Sequence, residues 1–429
     1  MYEVGHHLPS HALEVIVACY LVEQLFQAWW HPTAGRSARV LRAAVDVQAK
    51  RRDSTSRATK AGMRDEKIGP WAACDAHRGG RGVAPSPGSP DGCSRQSRRG
   101  ALMADRRPRL AITFPVADGL PVHDALATDY EVMMTRALDP EARVAAMRSA
   151  DAILVWNWRR EVPEGLGPGL PARFVQLVSA GADHLPFGEL PPNAVVASNV
   201  GAYAAPMAEH VMAMTLALAK RLSANHAKLA RGEWDQRTPT ATLAGARCAI
   251  LGYGGIGRAA ATLMRVFGAR IDAVNTSGRT DDPVDSVGTL DDLDRVLAGA
   301  DVVVLALPLT RRTRGIIGAA QLGVMKPTAI LVNVARGAVI DEKALYDHLV
   351  THPDFSAAID AWWVEPFRSG EFRVDHPFFD LPNVLGSPHN SGIVAGSLDR
   401  AVEAAAENLR RFARGEAVTG IVDPAEYVE

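Results

Sequence analysis

Cysteine is scarce in this chain and unevenly distributed. Three of the four cysteines fall within the first 102 residues, and residues 103–429 hold only Cys248. Internal disulfides therefore cannot stabilise the larger part of the chain. A protein that needs no disulfides is suited to a reducing compartment, and we expect a cytoplasmic location.

The sequence also lacks a clean apolar run near its N-terminus and a large net charge. The stretch ALEVIVACYLVEQLFQAWW is interrupted by Glu14 and Glu23, and no Lys or Arg precedes it. It is therefore a poor signal peptide and a poor membrane span. The formal net charge is -1 and 47% of the residues are hydrophobic, so we expect neither a membrane nor a nucleic acid as partner.

Residues 1–102 differ in composition from the rest of the chain. They carry 15 Lys and Arg against 9 Asp and Glu, whereas the remainder carries 32 against 39. From Thr33 to Gly100 the segment is rich in Arg, Gly, Ser and Pro, without a helical or strand period, so it cannot bury a core. A basic tail for an anionic partner, disorder, and an over-extended reading frame before Met103 are the alternatives. We favour the last, and expect a disordered or spurious, dispensable extension.

After Arg109, apolar runs of strand length alternate with helical stretches. RLAITF, AILVWN, RFVQLVS and AVVASN indicate short buried strands, and a long amphipathic run beginning at Pro206 predicts a helix. RCAIL, RIDAV, DVVVLAL, AILVNV, SAAID and NVLGS continue the alternation, and AGSLDRAVEAAAENLRRFARG predicts a final helix closed by Gly415. Strands that alternate with helices favour parallel sheets covered on both faces.

The predicted fold class is α/β with two domains. We predict a Rossmann-type doubly wound parallel sheet, the nucleotide-binding domain, over residues 206–392. A smaller flavodoxin-like α/β substrate domain is predicted over residues 103–205 and is completed by residues 393–429. The final helix is thus expected to cross back to the first domain.

The sequence GYGGIG carries the strongest local motif. Gly252, Gly254 and Gly257 match G-x-G-x-x-G between the apolar strand CAIL and the helix RAAATLMRVFG. The first glycine permits a tight turn, the second lets a pyrophosphate approach the backbone, and the third lets the helix pack on its strand. The N–H groups at the helix start then attract the phosphates, so we predict a dinucleotide cofactor.

The stretch VNTSGRT bears on the choice of cofactor. Asn275 lies 18 residues after Gly257, about where an acidic residue usually binds the ribose hydroxyls. An acid there would repel the 2′-phosphate of NADPH, whereas the hydroxyls of Thr276 and Ser277 and the charge of Arg279 would attract it. We expect NADP as the preferred cofactor, with NAD as the alternative. A plain surface turn is the other interpretation of these residues.

Three further stretches, VNVARGAVID, IDAWWVEPF and GSPHNSG, each follow an apolar strand. Residues just past the carboxyl ends of parallel strands line the ligand crevice, so Arg336, Asp360, Glu365 and His389 are expected in one site. Arginine can bind a carboxylate with two hydrogen bonds, and a Glu–His pair can move a proton near neutral pH. Each residue also has an ordinary interpretation alone: a surface ion pair, a solvated carboxylate, or a histidine in a turn.

The motifs GYGGIGR, LPLTRRTRGIIG, LVNVARGAVIDEKAL, IDAWWVEP and SPHNSG, in this order and spacing, resemble the D-isomer-specific 2-hydroxyacid dehydrogenases. The glyoxylate/hydroxypyruvate reductase and phosphoglycerate dehydrogenase branches are the most similar. The resemblance covers Met103 to the C-terminus, is weaker before Ser179, and excludes residues 1–102.

The resemblance implies roles for individual residues. Arg336 would bind the substrate carboxylate together with the N–H groups of Ala180 and Gly181 in VSAGADHL. Glu365 would be the partner of His389, the general acid/base, and Asp360 would hold the nicotinamide amide. The complete set of predicted cofactor-binding residues is Gly252, Gly254, Gly255, Ile256, Gly257, Asn275, Thr276, Ser277, Arg279, Pro308 and Asp360. No metal is expected.

The implied activity is the NAD(P)H-dependent reduction of a small 2-oxo acid to the D-2-hydroxy acid by a homodimer. Glu365 stands where formate-oxidising relatives carry Gln, which counts against formate, whereas phosphite stays an alternative substrate. A nucleotide-sensing, corepressor-like binding protein on the same scaffold is the alternative outside enzymology. Trp362 and Trp363 are bulkier than usual and are expected to pack or to form a subunit contact, and Asn390 should make the pocket rim more polar.

Overall fold

A computed structural model describes residues 106–115 and 125–427 of the chain. The predicted extension over residues 1–102 lies outside the described residues, so its predicted disorder stays a prediction. No helix in the described ranges is long and apolar enough to cross a membrane.

The first sheet has five strands, all parallel, in the order β2-β1-β3-β4-β5. This is the flavodoxin-like order 2-1-3-4-5. The strands are β1 (Arg109–Ile112), β2 (Glu131–Met134), β3 (Ala152–Val155), β4 (Phe174–Leu177) and β5 (Val195–Ala197), with helices α1 (Pro140–Ser149) and α2 (Trp158–Glu161) between them. Asp139 caps α1 by accepting the Ala142 N–H, and Pro140 occupies its first position.

The second sheet has seven parallel strands in the order β12-β11-β10-β9-β6-β7-β8. Counted from β6, this is the Rossmann order 3-2-1-4-5-6 with a seventh strand added, so the predicted fold class is confirmed. The strands are β6 (Arg247–Leu251), β7 (Arg270–Val274), β8 (Ser286–Gly288), β9 (Val302–Leu305), β10 (Ile330–Asn333), β11 (Ser356–Ile359) and β12 (Val384–Gly386).

Helices cover both faces of the second sheet. One face packs against α3 (Ala204–Ala219) and α5 (Gly255–Val266), the other against α6 (Leu293–Gly299), α7 (Ala319–Val324) and α8 (Glu342–Thr351). The remaining helices are α4 (Leu222–Ala230), α9 (Pro366–Ser369) and α10 (Ser397–Ala413). Single 3-10 turns occur at Thr135–Ala137, Gly167–Gly169, Phe187–Glu189, Leu290–Asp292, Gly337–Val339, Phe378–Asp380 and Pro424–Glu426.

The helix predicted from Pro206 differs from the observed one. The observed helix begins at Ala204 and ends at Ala219. A second helix starts at Leu222, after Arg221, which has φ +52°. The reason is a competing partner, because the Ala219 carbonyl accepts the Ala241 N–H at 2.9 Å instead of a helical donor. The edge strands β2 and β8 were not predicted from the sequence.

The chain passes between the two sheets twice, at residues 198–203 and 387–396. After the second crossing, α10 lies on the first sheet, where Phe412 stacks on Phe174 with ring centroids 4.5 Å apart. The Tyr130 hydroxyl donates to the Leu409 carbonyl at 2.7 Å. The domain boundaries proposed above stay a prediction.

A buried hydrogen-bond network fixes α10 to the first sheet. The Asn408 amide donates to the Gln176 side-chain oxygen at 2.6 Å and to the Thr419 carbonyl at 3.0 Å, and it accepts the Thr419 N–H at 2.9 Å. Asn408 is only 6% exposed, so water could not take over its hydrogen bonds if the side chain were removed.

Asn408→Ala should lower the free energy of unfolding by about 1–3 kcal/mol, because buried polar partners are left unsatisfied. Urea denaturation monitored by circular dichroism measures the change. Glu403→Ala, at an exposed position of the same helix, is the control and should stay within about 0.5 kcal/mol. Equal effects of the two substitutions would contradict a role for the network.

Candidate active site

The candidate site lies at the carboxyl edge of the second sheet. Because all seven strands are parallel, the loops that follow them emerge at one edge. The strand order reverses at β6, which pairs with β9 on one side and β7 on the other. Such a reversal leaves a crevice between the diverging connections, and it is where ligands bind in open α/β sheets.

The glycine loop after β6 leaves space for phosphates. Gly252 has φ +95°, and a side chain there would collide with the Ala306–Leu307 backbone. A side chain at Gly257 would collide with the Gly252 carbonyl and with Ile250, so this glycine permits the close packing of α5 on β6. A Cβ on Gly254 would meet no atom within 4 Å. The open side of Gly254 and the N–H groups at the start of α5 therefore fit a pyrophosphate.

The other residues near this loop contribute backbone rather than side chains. Gly255, the first residue of α5, lies against Gly201, and Ile256 packs into the hydrophobic core. Pro308, which follows β9, is exposed at the same edge, and its carbonyl accepts the Thr313 hydroxyl at 2.6 Å. Their cofactor contacts stay predictions.

Asn275 closes its own loop at the end of β7. Its side-chain oxygen accepts the N–H groups of Ser277 and Gly278 at 3.1 and 2.7 Å, and its amide donates to the Arg279 carbonyl at 2.9 Å. This turn leaves Thr276, Ser277 and Arg279 exposed. Within the described residues, the Arg279 guanidinium has no hydrogen-bond or ion-pair partner.

Asp272 is not available as a ribose-binding acid. It lies inside β7, is 2% exposed, and pairs with the Arg247 guanidinium at 2.7 Å and the Ser286 hydroxyl at 2.5 Å. Asp272 is the acidic residue nearest to Asn275 on β7, and its carboxylate is already bound by side chains within the sheet.

Arg336 is presented by a buried asparagine at the end of β10. The Asn333 side chain donates to the Arg336 carbonyl at 3.0 Å and accepts the Ala335 N–H at 3.0 Å, which shapes the loop. The Arg336 side chain then reaches the predicted carboxylate-binding loop of the first sheet, where its Nη2 atom lies against Gly181. The structure therefore brings Arg336 and the Ala180–Gly181 loop together.

Asp360 organises the loop that carries the histidine. It is fully buried, and its Oδ1 atom accepts the Ser387 hydroxyl at 2.6 Å and the Asn390 N–H at 3.1 Å. Its backbone carbonyl accepts the His389 N–H at 2.9 Å. His389 has φ +51°, a conformation that non-glycine residues rarely adopt, so this hydrogen bonding holds a strained residue in place.

Glu365 and His389 form a hydrogen-bonded pair. The distance between His389 Nδ1 and Glu365 Oε1 is 2.7 Å, and the same carboxylate oxygen accepts the Trp362 N–H at 2.8 Å. Glu365 is 4% exposed, so it is not the solvated carboxylate that its position before a proline would permit. A carboxylate oxygen only accepts, so Nδ1 donates the proton and Nε2 is left to act on a ligand.

The two tryptophans pack in the interior, in agreement with the expectation. Trp362 is 4% exposed and donates from Nε1 to the Ser387 carbonyl at 2.8 Å. Trp363 stacks on Phe378 with centroids 5.4 Å apart. Asn390 is exposed beside His389, which makes this rim polar, as predicted.

Several residues at the site were missed by sequence reasoning. His210 of α3 contacts the Ser387 hydroxyl at 2.9 Å and lies 3.7 Å from Asp360. Phe367 packs edge-on against the His389 ring, with centroids 5.3 Å apart, and Asp183 contacts both Arg336 and Arg368. Asp183 lies within the quoted stretch VSAGADHL and His210 within the helix predicted from Pro206, but no motif assigned them a role.

Comparison with known proteins places this site in a family. Residues 212–391 match the family model described as "D-isomer specific 2-hydroxyacid dehydrogenase, NAD binding domain". The chain is 30% identical over 255 residues to a hydroxypyruvate reductase of Thermotoga maritima, covering 59% of this chain and 81% of the relative. The chain therefore belongs to the D-isomer specific 2-hydroxyacid dehydrogenase family, which consists of nicotinamide-dependent oxidoreductases.

Two further similarities support this assignment. A D-3-phosphoglycerate dehydrogenase of Methanocaldococcus jannaschii is 29% identical over 297 residues, or 68% of this chain, and the match spans only 55% of that relative's length. A D-isomer specific 2-hydroxyacid dehydrogenase from Xanthobacter autotrophicus Py2, solved in complex with NADPH and MES, is 28% identical with a TM-score of 0.61. It covers 75% of this chain and all of its own.

Proposed function

We propose that this protein reduces a small 2-oxo acid, of the glyoxylate or hydroxypyruvate kind, to the D-2-hydroxy acid with NADPH. The observation that carries the proposal is the 2.7 Å Glu365–His389 pair at the sheet edge that also presents Arg336. A proton donor and a cation at one edge are what reduction of a carbonyl beside a carboxylate requires. The family membership and the relative named as a hydroxypyruvate reductase support it.

Arg336 and the loop from the first sheet bind the substrate carboxylate. The Nη2 atom of Arg336 lies against Gly181, so an anion bound beside both receives guanidinium and backbone N–H donors together. Holding the carboxylate fixes the adjacent carbonyl in one orientation, which lowers the entropic part of the barrier.

His389 supplies the proton. Glu365 holds the ring through Nδ1, so the protonated imidazole donates from Nε2 to the carbonyl oxygen as negative charge develops there. The bound nicotinamide cofactor supplies the hydride that reaches the carbonyl carbon. Asp360 fixes the loop that carries the imidazole, with Oδ1 accepting the Ser387 hydroxyl and Oδ2 accepting the Ser391 N–H at 3.3 Å. Holding the nicotinamide amide is the further role that the resemblance implies for it.

The test of this function is turnover of glyoxylate, hydroxypyruvate, pyruvate and phenylpyruvate with NADPH and with NADH, followed at 340 nm. Turnover of glyoxylate or hydroxypyruvate at rates of ordinary enzymes, about 1–10³ s⁻¹, is the expected result. Tight cofactor binding without turnover of any acid would instead favour a nucleotide-sensing binding protein.

His389→Ala should lower kcat by a factor on the order of 10²–10⁴, the usual contribution of a general acid. Cofactor binding, measured by fluorescence titration, should be largely retained because the imidazole acts on the substrate. His226→Ala, an exposed histidine on α4, is the control and should keep full activity. A His389→Ala enzyme with undiminished kcat would remove His389 from the mechanism.

Glu365→Gln should shift the pH profile of reduction to lower pH. Reduction needs the protonated imidazole, and the neutral amide no longer stabilises that positive charge, so activity is lost at a lower pH than in the wild type. The rate of reduction, measured from about pH 5 to about pH 9, checks the shift. An unchanged profile would exclude Glu365 as the partner that matters.

We propose NADPH as the preferred cofactor because Asn275 rather than an acid directly follows β7, and exposed donors come next in the chain. Asp272 is paired with Arg247 inside the sheet, whereas the Arg279 guanidinium is exposed beside the hydroxyls of Thr276 and Ser277. The similar enzyme from Xanthobacter autotrophicus was solved with NADPH. The Asn275 side chain serves the turn itself, so its contribution is to shape the loop.

Arg279→Ala should raise the KM for NADPH about tenfold or more, the value of a charge-assisted contact, and leave the KM for NADH nearly unchanged. Arg270→Ala removes the same charge at the opposite end of β7 and serves as the control. A wild-type enzyme that uses NADH at least as efficiently as NADPH would refute the proposed preference.

A further inference from the structure

A buried carboxylate is shared by two arginines at the candidate site. Asp183 follows β4 of the first sheet, and its side chain is 5% exposed. Its Oδ1 atom accepts from Arg336 Nε at 3.1 Å, and its Oδ2 atom contacts the Arg368 guanidinium. Arg336 and Arg368 both come from the second-sheet segment of the chain, so this cluster joins loops of the two sheets.

The Asp183 contact determines which donors of Arg336 are left for a ligand. Nε is occupied by Asp183, and Nη1 donates to the Ala335 carbonyl at 2.8 Å. One side of the planar guanidinium is thereby fixed, and Nη2 is turned toward Gly181. A guanidinium held at Nε cannot rotate freely, so Asp183 sets the direction in which Arg336 presents its remaining N–H groups.

The charges of the cluster explain why a second arginine is present. Burial alone would raise the pKa of Asp183, but the guanidiniums of Arg336 and Arg368 outweigh it and hold this pKa below its ordinary value. Asp183 is therefore ionised and would neutralise Arg336 if the two were alone. With Arg368 added, the side chains of Asp183, Arg336 and Arg368 together carry a net charge of about +1, which attracts an incoming carboxylate.

The segment after Glu365 delivers Arg368 to this position. Helix α9 begins at Pro366, and the Phe367 carbonyl accepts from Arg160 Nη2 of α2 at 3.1 Å. The chain then turns at Gly370, which has φ +84°. Contacts from the first-sheet segment thus hold α9 at both Phe367 and Arg368, next to the Glu365–His389 pair.

We propose that Asp183 and Arg368 are positioning residues for substrate recognition: Asp183 orients Arg336, and Arg368 offsets the charge of Asp183 so that the site keeps its attraction for a carboxylate. The inference rests on the proposed function, because it assumes that Arg336 binds the substrate carboxylate.

The test compares Arg368→Met, Asp183→Asn and the double variant. Arg368→Met should raise the KM of the best 2-oxo acid about tenfold with kcat within about twofold, because a unit charge is lost near the carboxylate. Asp183→Asn should chiefly lower kcat, because a neutral amide with one acceptor oxygen holds the Arg336 guanidinium less firmly than the carboxylate does. The double variant restores a net charge of +1, so its KM should fall back below that of Arg368→Met.

Two further variants separate charge from packing. Arg368→Lys keeps the charge and should recover most of the KM. Arg373→Met removes a charge from the same segment, where Arg373 pairs with Asp375, and should change neither constant. A double variant with a KM as high as that of Arg368→Met, or an Arg368→Lys variant as impaired as Arg368→Met, would overturn the proposal.

Oxamate binding to the NADPH complex, followed by fluorescence, measures carboxylate recognition without turnover. The dissociation constants should follow the same order as the KM values. If no 2-oxo acid is turned over by the wild type, the proposed function fails, while the oxamate series still tests the roles of Asp183 and Arg368. Equal oxamate affinities for the wild type and Arg368→Met would overturn those roles.

Discussion

Parallel strand pairing is the constraint from which the site follows. In both sheets every strand runs in the same direction as its neighbours, so every connection must leave one edge and return to the other. Segments that are far apart in sequence therefore meet at one edge of the second sheet. No local motif needs to bring the glycine loop, Arg336 and His389 together, because the strand order does so.

Buried polar groups support the loops that carry the candidate catalytic side chains. Asn333 and Asp360 are fully buried and form hydrogen bonds with the neighbouring backbone, and Asp360 also with the Ser387 hydroxyl. They hold the loops of Arg336 and His389, whose own side chains are partly exposed. Buried, fully bonded polar groups give such loops one conformation, which a reaction that moves a proton over a single hydrogen bond requires.

The sequence was sufficient for the buried strands and for residues that follow them. Runs such as CAIL and AILVNV are apolar because both faces of the strand are covered, and this pattern is local. The edge strands β2 and β8 are short and only partly buried, so their sequences carry no comparable signal. The break at Arg221 depends on Ala241, which is twenty residues away in the chain, and could not be seen locally.

The same limit applies to the site. Glu365 and His389 could be placed in one site in advance because each follows an apolar strand, and the family resemblance implied that they are partners. The contacts of Asp183, Arg368 and His210 depend instead on how loops of the first sheet and helix α3 meet the second sheet. Side-chain pairs formed between distant elements leave no periodicity or spacing in the sequence, so only the folded chain reveals them.

The two passages of the chain between the sheets have a mechanical consequence. Any rotation of one sheet against the other must pivot where the polypeptide crosses, at residues 198–203 and 387–396. Points close to a pivot are displaced least, and His389 lies within the second crossing. The proton donor thus lies within one of the two hinge segments, whereas Gly181 and Arg336, which meet across the two sheets, lie outside them. A hinge rotation would therefore change the contact between Gly181 and Arg336 and move the imidazole less.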